Sequence, residues 1–488
     1  MRKNIKSLSK YIILLCFYQT LFCQNPINVI QSHQLDQILI HDTIFQKFSG
    51  DVIIEYSDFK IQCDTILIDE YQEIIRGWGN TSIFNDTIKC QTDSINIKQF
   101  ENKITFYTNS ILETDNMLIY SDHMIYNYEQ KKLAYLSGGS VKTQDYVINS
   151  QQFTYQIENE ISEFKDQIKL TTNKYKITTN HMIHENDIIN FVGKNCIEYE
   201  EFTINSEKGI FKKDDFLKLY QQESINGKNE TIISNQLFID ISSEKKYFTN
   251  NVHVILDEKT HLFGDTLIQQ DQGSKINNNC EIQLLGTQDS IYITGDIIQI
   301  DGKKEELEVI NNVFIMGKDL EGSCNNMLFK SNYENILMNK DPVIWIRDIQ
   351  ITGKRIELYT QNNNLDSIYI PINPFIVSPN DSLEYYNQMT GNILSGKFKN
   401  NKVEYINLAG NAQMIYFDNQ KNKNLTINMN HTKAGSIKLI FDNNNINNIF
   451  CLNRIESNYD EINLSNRPKK MQKKIFLDDF TLIKRRSF

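Results

Sequence analysis

Two histidines, His181 and His184, stand three residues apart, and aspartates recur at Asp64, Asp93 and Asp122 with a constant interval of 29 residues. Imidazole and carboxylate groups bind metals, so metal ligation is the chemistry these residue types could do. Neither pattern completes a site. An HxxH pair needs a third and a fourth ligand, and none lies close in sequence. The two therefore read as half-exposed strand histidines. The aspartates come one per interval, give way to Gln151 and Lys354 at equivalent places, and lack the second carboxylate of a calcium loop. Six cysteines beyond residue 23 (Cys63, Cys90, Cys196, Cys280, Cys324 and Cys451) are scattered without CxxC spacing, which indicates neither a zinc nor a redox motif. Disulfides remain open in an exported chain, but several of these cysteines share their position with Ile, Ser or Thr in other repeats and read as small buried fillers. No nucleophile elbow, phosphate loop, dinucleotide fingerprint or HExxH is present. The expectation is a protein with no catalytic residues, no metal and no cofactor.

The aspartates mark something else. In FKIQCDTILID, Phe59, Ile61 and Cys63 alternate with polar neighbours as one face of a strand does. After Asp64 the apolar set resumes at Ile66 and Ile68, on the opposite parity. The same slip recurs at Asp93, Asp122, Gln151 and Asn180, and continues at Glu207, Asn235, Asp265, Asp296, Asn325 and Lys354. Eleven units thus cover residues 50–360. A bulge at the Asp would bend the strand and turn both halves' apolar residues inward. Asp and Asn suit such a corner because their side chains bond nearby backbone amides. The corner residues are Asp64, Asp93, Asp122, Asn180, Asp265, Asp296 and Asn325. The inward set includes Ile61, Ile66, Ile119, Met124, Ile148, Phe153, Ile177, Met182, Ile204, Ile293 and Ile298. A second landmark, a Gly or Asn pair before a β-branched residue (Gly50–Asp51–Val52, Asn312–Val313), reads as a tight turn between strands. Each unit is then a hairpin, and the chain a long all-β antiparallel array. Its facing apolar stripes either pack as a closed core or line an open groove.

Composition agrees. Hydrophobic residues make up 40% of the 488, with only 6 prolines and 20 glycines, and Ile, Tyr, Phe and Thr favour strands. Asn and Lys are heavily used, which a nucleotide bias in the genome would explain. A net charge of -10 speaks against a general nucleic-acid binder. Residues 1–23 combine a basic start with a short apolar stretch, a secretory signal peptide too short to span a bilayer. A lead-in follows over 24–49, then the repeat array 50–360. The Pro-containing 361–382 reads as a connection where the repeat lapses. Residues 383–464 read as a terminal β module capping the array, and 465–488 as a mobile basic tail.

FSGDVIIEYSDFKIQCDTILID with its repeats, and YNQMTGNILSGKFKNNKVEYINLAGNAQMIYF near the C-terminus, resemble the periplasmic OstA-like family, the fold of the lipopolysaccharide-transport bridge protein and of the N-terminal part of its outer-membrane translocon. The resemblance covers most of the mature chain and is nearest to long members from Bacteroidetes-type bacteria. It implies a β-jellyroll or β-taco whose apolar groove shields acyl chains of lipopolysaccharide or a related lipid. It further implies periplasmic localisation, with a position peripheral to the outer membrane open. The implied partners are other lipopolysaccharide-transport proteins of the inner or outer membrane, and end-to-end self-association, with no nucleic acid. The chain is much longer than the bridge protein and lacks the translocon's membrane barrel. An alternative class is a structural or adhesive extracellular β-solenoid that binds no lipid. A polysaccharide-active β-helix would need clustered carboxylates on one face, which the sequence lacks.

Overall fold

The computed structural model describes residues 27–485, apart from 41–42, 70, 201, 228–229, 271–272, 287–289, 305, 319, 331–333, 362–363, 381–384, 400–401, 419–425, 444 and 464–474. The segment 1–23 expected as a signal peptide and the turn expected at Asn400–Asn401 lie outside these. The described residues form antiparallel strands and two short 3-10 turns, with no α-helix among them. No helix among the described residues is long and apolar enough to cross a membrane. The chain divides into two compact units, residues 1–213 and 214–488.

One motif builds the N-terminal unit. The strand Phe59–Asp69 pairs along its whole length with Thr43–Tyr56 before it and Ile74–Phe84 after it, and each ladder breaks register once, at the corner. Ser49 faces Thr65 and Val52 faces Cys63, so Gly50 and Asp51 together oppose the single residue Asp64. The return strand therefore carries the extra residue of a bulge, which bends both strands. Asp166–Gln167 oppose Asn180 in the same way. Every strand is thus folded into two halves. Because the strands are antiparallel, the half before one corner pairs with the half after the next: residues 59–63 pair with 52–56 in the first lobe and 65–68 with 46–49 in the second, and the two lobes face each other. Buried positions flip parity at the bend as this requires: Ile61 and Cys63, then Ile66 and Ile68.

The Gly and Asn pairs are therefore not turns between strands. They are the corners of the return strands, and both members commonly lie in the left-handed region: Gly79 and Asn80 at φ +81 and +46, Asn250 and Asn251 at +65 and +58, Asn311 and Asn312 at +62 and +50. That conformation costs most residues about 1–2 kcal/mol and Gly or Asn least. Asn supplies 14 of the 32 described non-glycine residues with positive φ, which gives its abundance a structural cause.

The C-terminal unit repeats the motif, with Asn278–Asn279 opposite Asp296 and Asn311–Asn312 opposite Asn325. It does not stop at 360. Residues 361–382, expected as a connection, contain two core strands, Asn364–Ile370 and Phe375–Pro379. Pro371 and Pro374 fall in the corner between them, where ladder hydrogen bonds are interrupted and a missing N–H costs little. Further corners follow at Gly391–Asn392 and at Gly410–Asn411, the latter pair opposite Gly435. The lapse seen in the sequence is one of spacing, not of architecture.

Candidate functional site

The corner edge is built from short polar side chains. Asp64, Asp93, Asp122, Asn180, Asp265, Asp296 and Asn325 all stand exposed at bends. The residue before each corner is small because it fills the inside of the bend: Thr92 and Ser121 are buried there, and their hydroxyls donate to Tyr107 O at 2.9 Å and Gly138 O at 2.8 Å. The expectation that the corner carboxylates bond backbone needs correction. Asp122 does accept from the Asn109 backbone N–H at 3.2 Å. Most partners, however, are the side-chain amides of the left-handed asparagines: Asn109 to Asp93 at 2.8 Å, Asn279 to Asp265 at 2.9 Å and Asn312 to Asp296 at 2.9 Å. Each pair joins a corner on one strand to a corner on a neighbouring one, so the hydrogen bonds run along the bend.

Between the lobes lies an apolar interior. All eleven inward residues named from the sequence, from Ile61 to Ile298, are at most 1% exposed. Phe153 stacks on Tyr135 and Phe164 with ring centroids 5.2 and 4.8 Å apart. These side chains fill the space between the lobes in this structure, so the stripes pack against one another and do not line an open channel. Burying an Ile, Met or Phe side chain contributes about 1.5–3 kcal/mol, which makes this interior the main stabiliser of the fold.

Opposite the corners, the hairpin ends of the two lobes meet at a mouth. In the N-terminal unit polar contacts join the lobes across it. Tyr56 and Tyr128 share a hydroxyl hydrogen bond of 2.9 Å, and the Tyr146 hydroxyl contacts His184 Nδ1 at 3.1 Å. Lys213 pairs with Asp145. Burial pushes the Tyr146 hydroxyl upward and the His184 imidazole downward, so both hold their neutral forms. In the C-terminal unit Gln269 donates to Glu230 at 2.6 Å. At another place in that unit the lining of the mouth is mostly apolar. Ile291, Ile315 and Leu320 from the first lobe face Ile336, Leu358 and Leu365 from the second across a narrow slot. Lys318 is the one charged residue among its lining. The sequence reading passed over this slot, although its six apolar residues alternate on strands like any others.

The remaining candidates do not come together into a site among the described residues. His181 pairs with Glu163 at 2.9 Å while His184 turns to Tyr146, so the HxxH residues do not converge. No cluster of three or more metal-ligating side chains occurs among the described residues. The six cysteines are free; burial pushes the Cys63 and Cys324 thiols to about 12 and Cys280 to about 11, away from thiolate chemistry.

No curated protein is significantly similar in sequence. Among solved structures, LptH of Pseudomonas aeruginosa, described as the LptA homologous periplasmic component of the lipopolysaccharide transport device, is similar at 13% identity. The likeness covers 24% of this chain and 94% of that one with a TM-score of 0.23, and it carries no argument on its own. A family model described as OstA-like protein matches residues 24–180, the stretch that holds the first corners and the Tyr56–Tyr128 contact at the mouth. By that match, residues 24–180 of this chain belong to the OstA-like family.

Proposed function

We propose that this chain is a non-enzymatic periplasmic conduit for lipopolysaccharide or a related lipid, working in outer-membrane assembly. The OstA-like match motivates the lipid class. The observation that carries the reading is the slot between Leu320 and Leu365, where apolar side chains of the two lobes line the mouth. An acyl chain entering there makes no hydrogen-bonding demand, and each buried methylene contributes about 0.8 kcal/mol. A filled interior must then yield: the lobes part at the mouth while the corners hold, and Met124, Met182 and their neighbours rotate to accept the chain, as flexible thioether side chains can. Lys318, in the slot's lining, is the cation we propose for an anionic headgroup.

The proposed partners are transport proteins of the inner or outer membrane, reached by edge pairing. The strands Ile27–Gln31 and Gln34–Ile40 pair with Thr43–Tyr56 on one side, and no second ladder is seen for them among the described residues. They expose Leu35 and Leu39. Asn445–Leu452 and Glu456–Asn463 are a comparable edge with Phe450 and Tyr459 exposed. Such edges pair readily with another chain, including a second copy end to end. The closed packing of the interior favours a second reading, a structural β-array that binds no lipid. Photo-crosslinking separates the two. A probe at Leu320 or Leu365 should capture lipopolysaccharide in cells and a probe at Ile119 should capture it less. Capture of protein alone at all three positions would leave only the structural reading.

A further inference from the structure

The basic tail, expected to be mobile, is in part an ordered strap. Residues 475–485 lie against the outer face of the first lobe in the C-terminal unit. Two glutamines hold them. Gln388, 0% exposed, donates its Nε2 to Ile475 O at 2.9 Å, and its Oε1 accepts the Leu477 N–H at 2.8 Å. Gln350, 4% exposed, does the same six residues on, donating to Thr481 O at 2.8 Å and accepting from Ile483 N–H at 2.9 Å. Each carboxamide thus acts as one rung of a β-ladder and grips backbone, not side chain. Between the grips, Leu477 is buried among Phe375, Val377, Ile415, Phe417 and Met429, with Ile475 and Phe480 packed alongside. At the far end Arg485 forks onto both Glu321 carboxylate oxygens and donates to Arg347 O at 3.0 Å.

Amide grips, an apolar pocket and a terminal ion pair are the parts of a site that reads an extended peptide. The fold does not need the strap to complete a strand ladder. We propose that this face is a peptide-docking site, that the strap is its exchangeable resident, and that the partner it fits is the strap of a second copy of this chain. The eleven residues 464–474 connect the strap to the last strand and reach at most about 36–40 Å when extended, enough for either a local or an exchanged arrangement. Exchange of an identical element joins two copies through contacts the single chain already makes.

The test uses the full chain with a protease site placed within 465–474. After cutting, the strap should stay bound on gel filtration and be chased out by excess labelled peptide of sequence 475–488. The double variant Gln350→Ala, Gln388→Ala should weaken peptide retention by about tenfold or more, since four hydrogen bonds are lost. Uncut tagged and untagged copies should form mixed dimers at high concentration, and a chain ending at 474 should not. A strap that cannot be displaced is a fixed layer of the core, and one that leaves at once without rebinding has no docking site; either result overturns the proposal. Peptide exchange without mixed dimers overturns the assignment of the partner.

Discussion

Within each unit the corner edge and the mouth are built on opposite plans. At the corner edge the same bulge recurs, often with a pair of residues in the left-handed region and, at Asp93, Asp265 and Asp296, with a side-chain amide tied to the corner carboxylate. At the mouth the lobes meet through unlike contacts: a tyrosine pair, a tyrosine with a histidine, a lysine with an aspartate, a glutamine with a glutamate, and in one place an apolar slot. Regularity at the corners follows from backbone geometry, which admits few residues. Irregularity at the mouth follows from side chains meeting across solvent, where many pairs serve. A slab of this kind should be stiff along the bend and adjustable at the mouth.

The corner half of that contrast breaks most sharply at Gly79. A Cβ there would lie 2.4 Å from Asp64 Oδ2 and 2.8 Å from its Cβ, on backbone with φ +81. Gly79→Val combines left-handed strain with this overlap and should lower the stability of the N-terminal unit by about 2–4 kcal/mol. Urea unfolding reads the result, and an unchanged midpoint means the corner is not a rigid hinge. Smaller changes sharpen the contrast. Asp122→Ala removes the acceptor of the Asn109 N–H and should cost about 0.5–2 kcal/mol by analogy with a lost helix cap, with no change in bound metal. Stoichiometric metal lost in that variant would overturn the structural role of the corner. Tyr128→Phe at the mouth deletes one hydroxyl and should cost about 0.5–1.5 kcal/mol while leaving the corner amides protected from exchange. Protection lost equally at both edges would show that the slab opens as one body.

Legibility in the sequence divides along the same lines. The parity flip at Asp64 or Asp122 can be read because side chains alternate with period two and a bend must reset the phase. The partner half of the corner is less legible, because Asn312 before Val313 gives the same signal whether it bends a strand or ends one. Mouth contacts such as Tyr56 with Tyr128 join residues 72 apart and have no local signature. The strap was missed for the same reason, yet two traces of it were present. Val343–Ile346 and Phe375–Pro379 are apolar without alternation, as strands covered on both faces are, and Gln350 interrupts such a stretch as a lone polar residue. A second layer on that lobe was implied, but not its origin 131 residues away.

The smallest effect expected at the mouth depends on pH. The Tyr146–His184 latch needs a neutral imidazole in a place where burial disfavours the charged one, with the Asp187 carboxylate acting weakly the other way. His184 therefore has a folded pKa lower than its ordinary value of 6.5. For a depressed histidine the unfolded chain binds the proton more tightly than the folded one. The latch contributes fully above pH 6.5 and weakens progressively as pH falls below it. A His184→Gln variant keeps a neutral partner for the tyrosine and should remove this dependence from the N-terminal unit. The measurement is the NMR titration of the His184 ring together with amide exchange at Tyr146 and Tyr56. Acidification should open the mouth amides first and leave the Asn109 amide at the corner unchanged. If His184 titrates at or above 6.5, or if the corner opens with the mouth, the latch is not what holds the lobes together there.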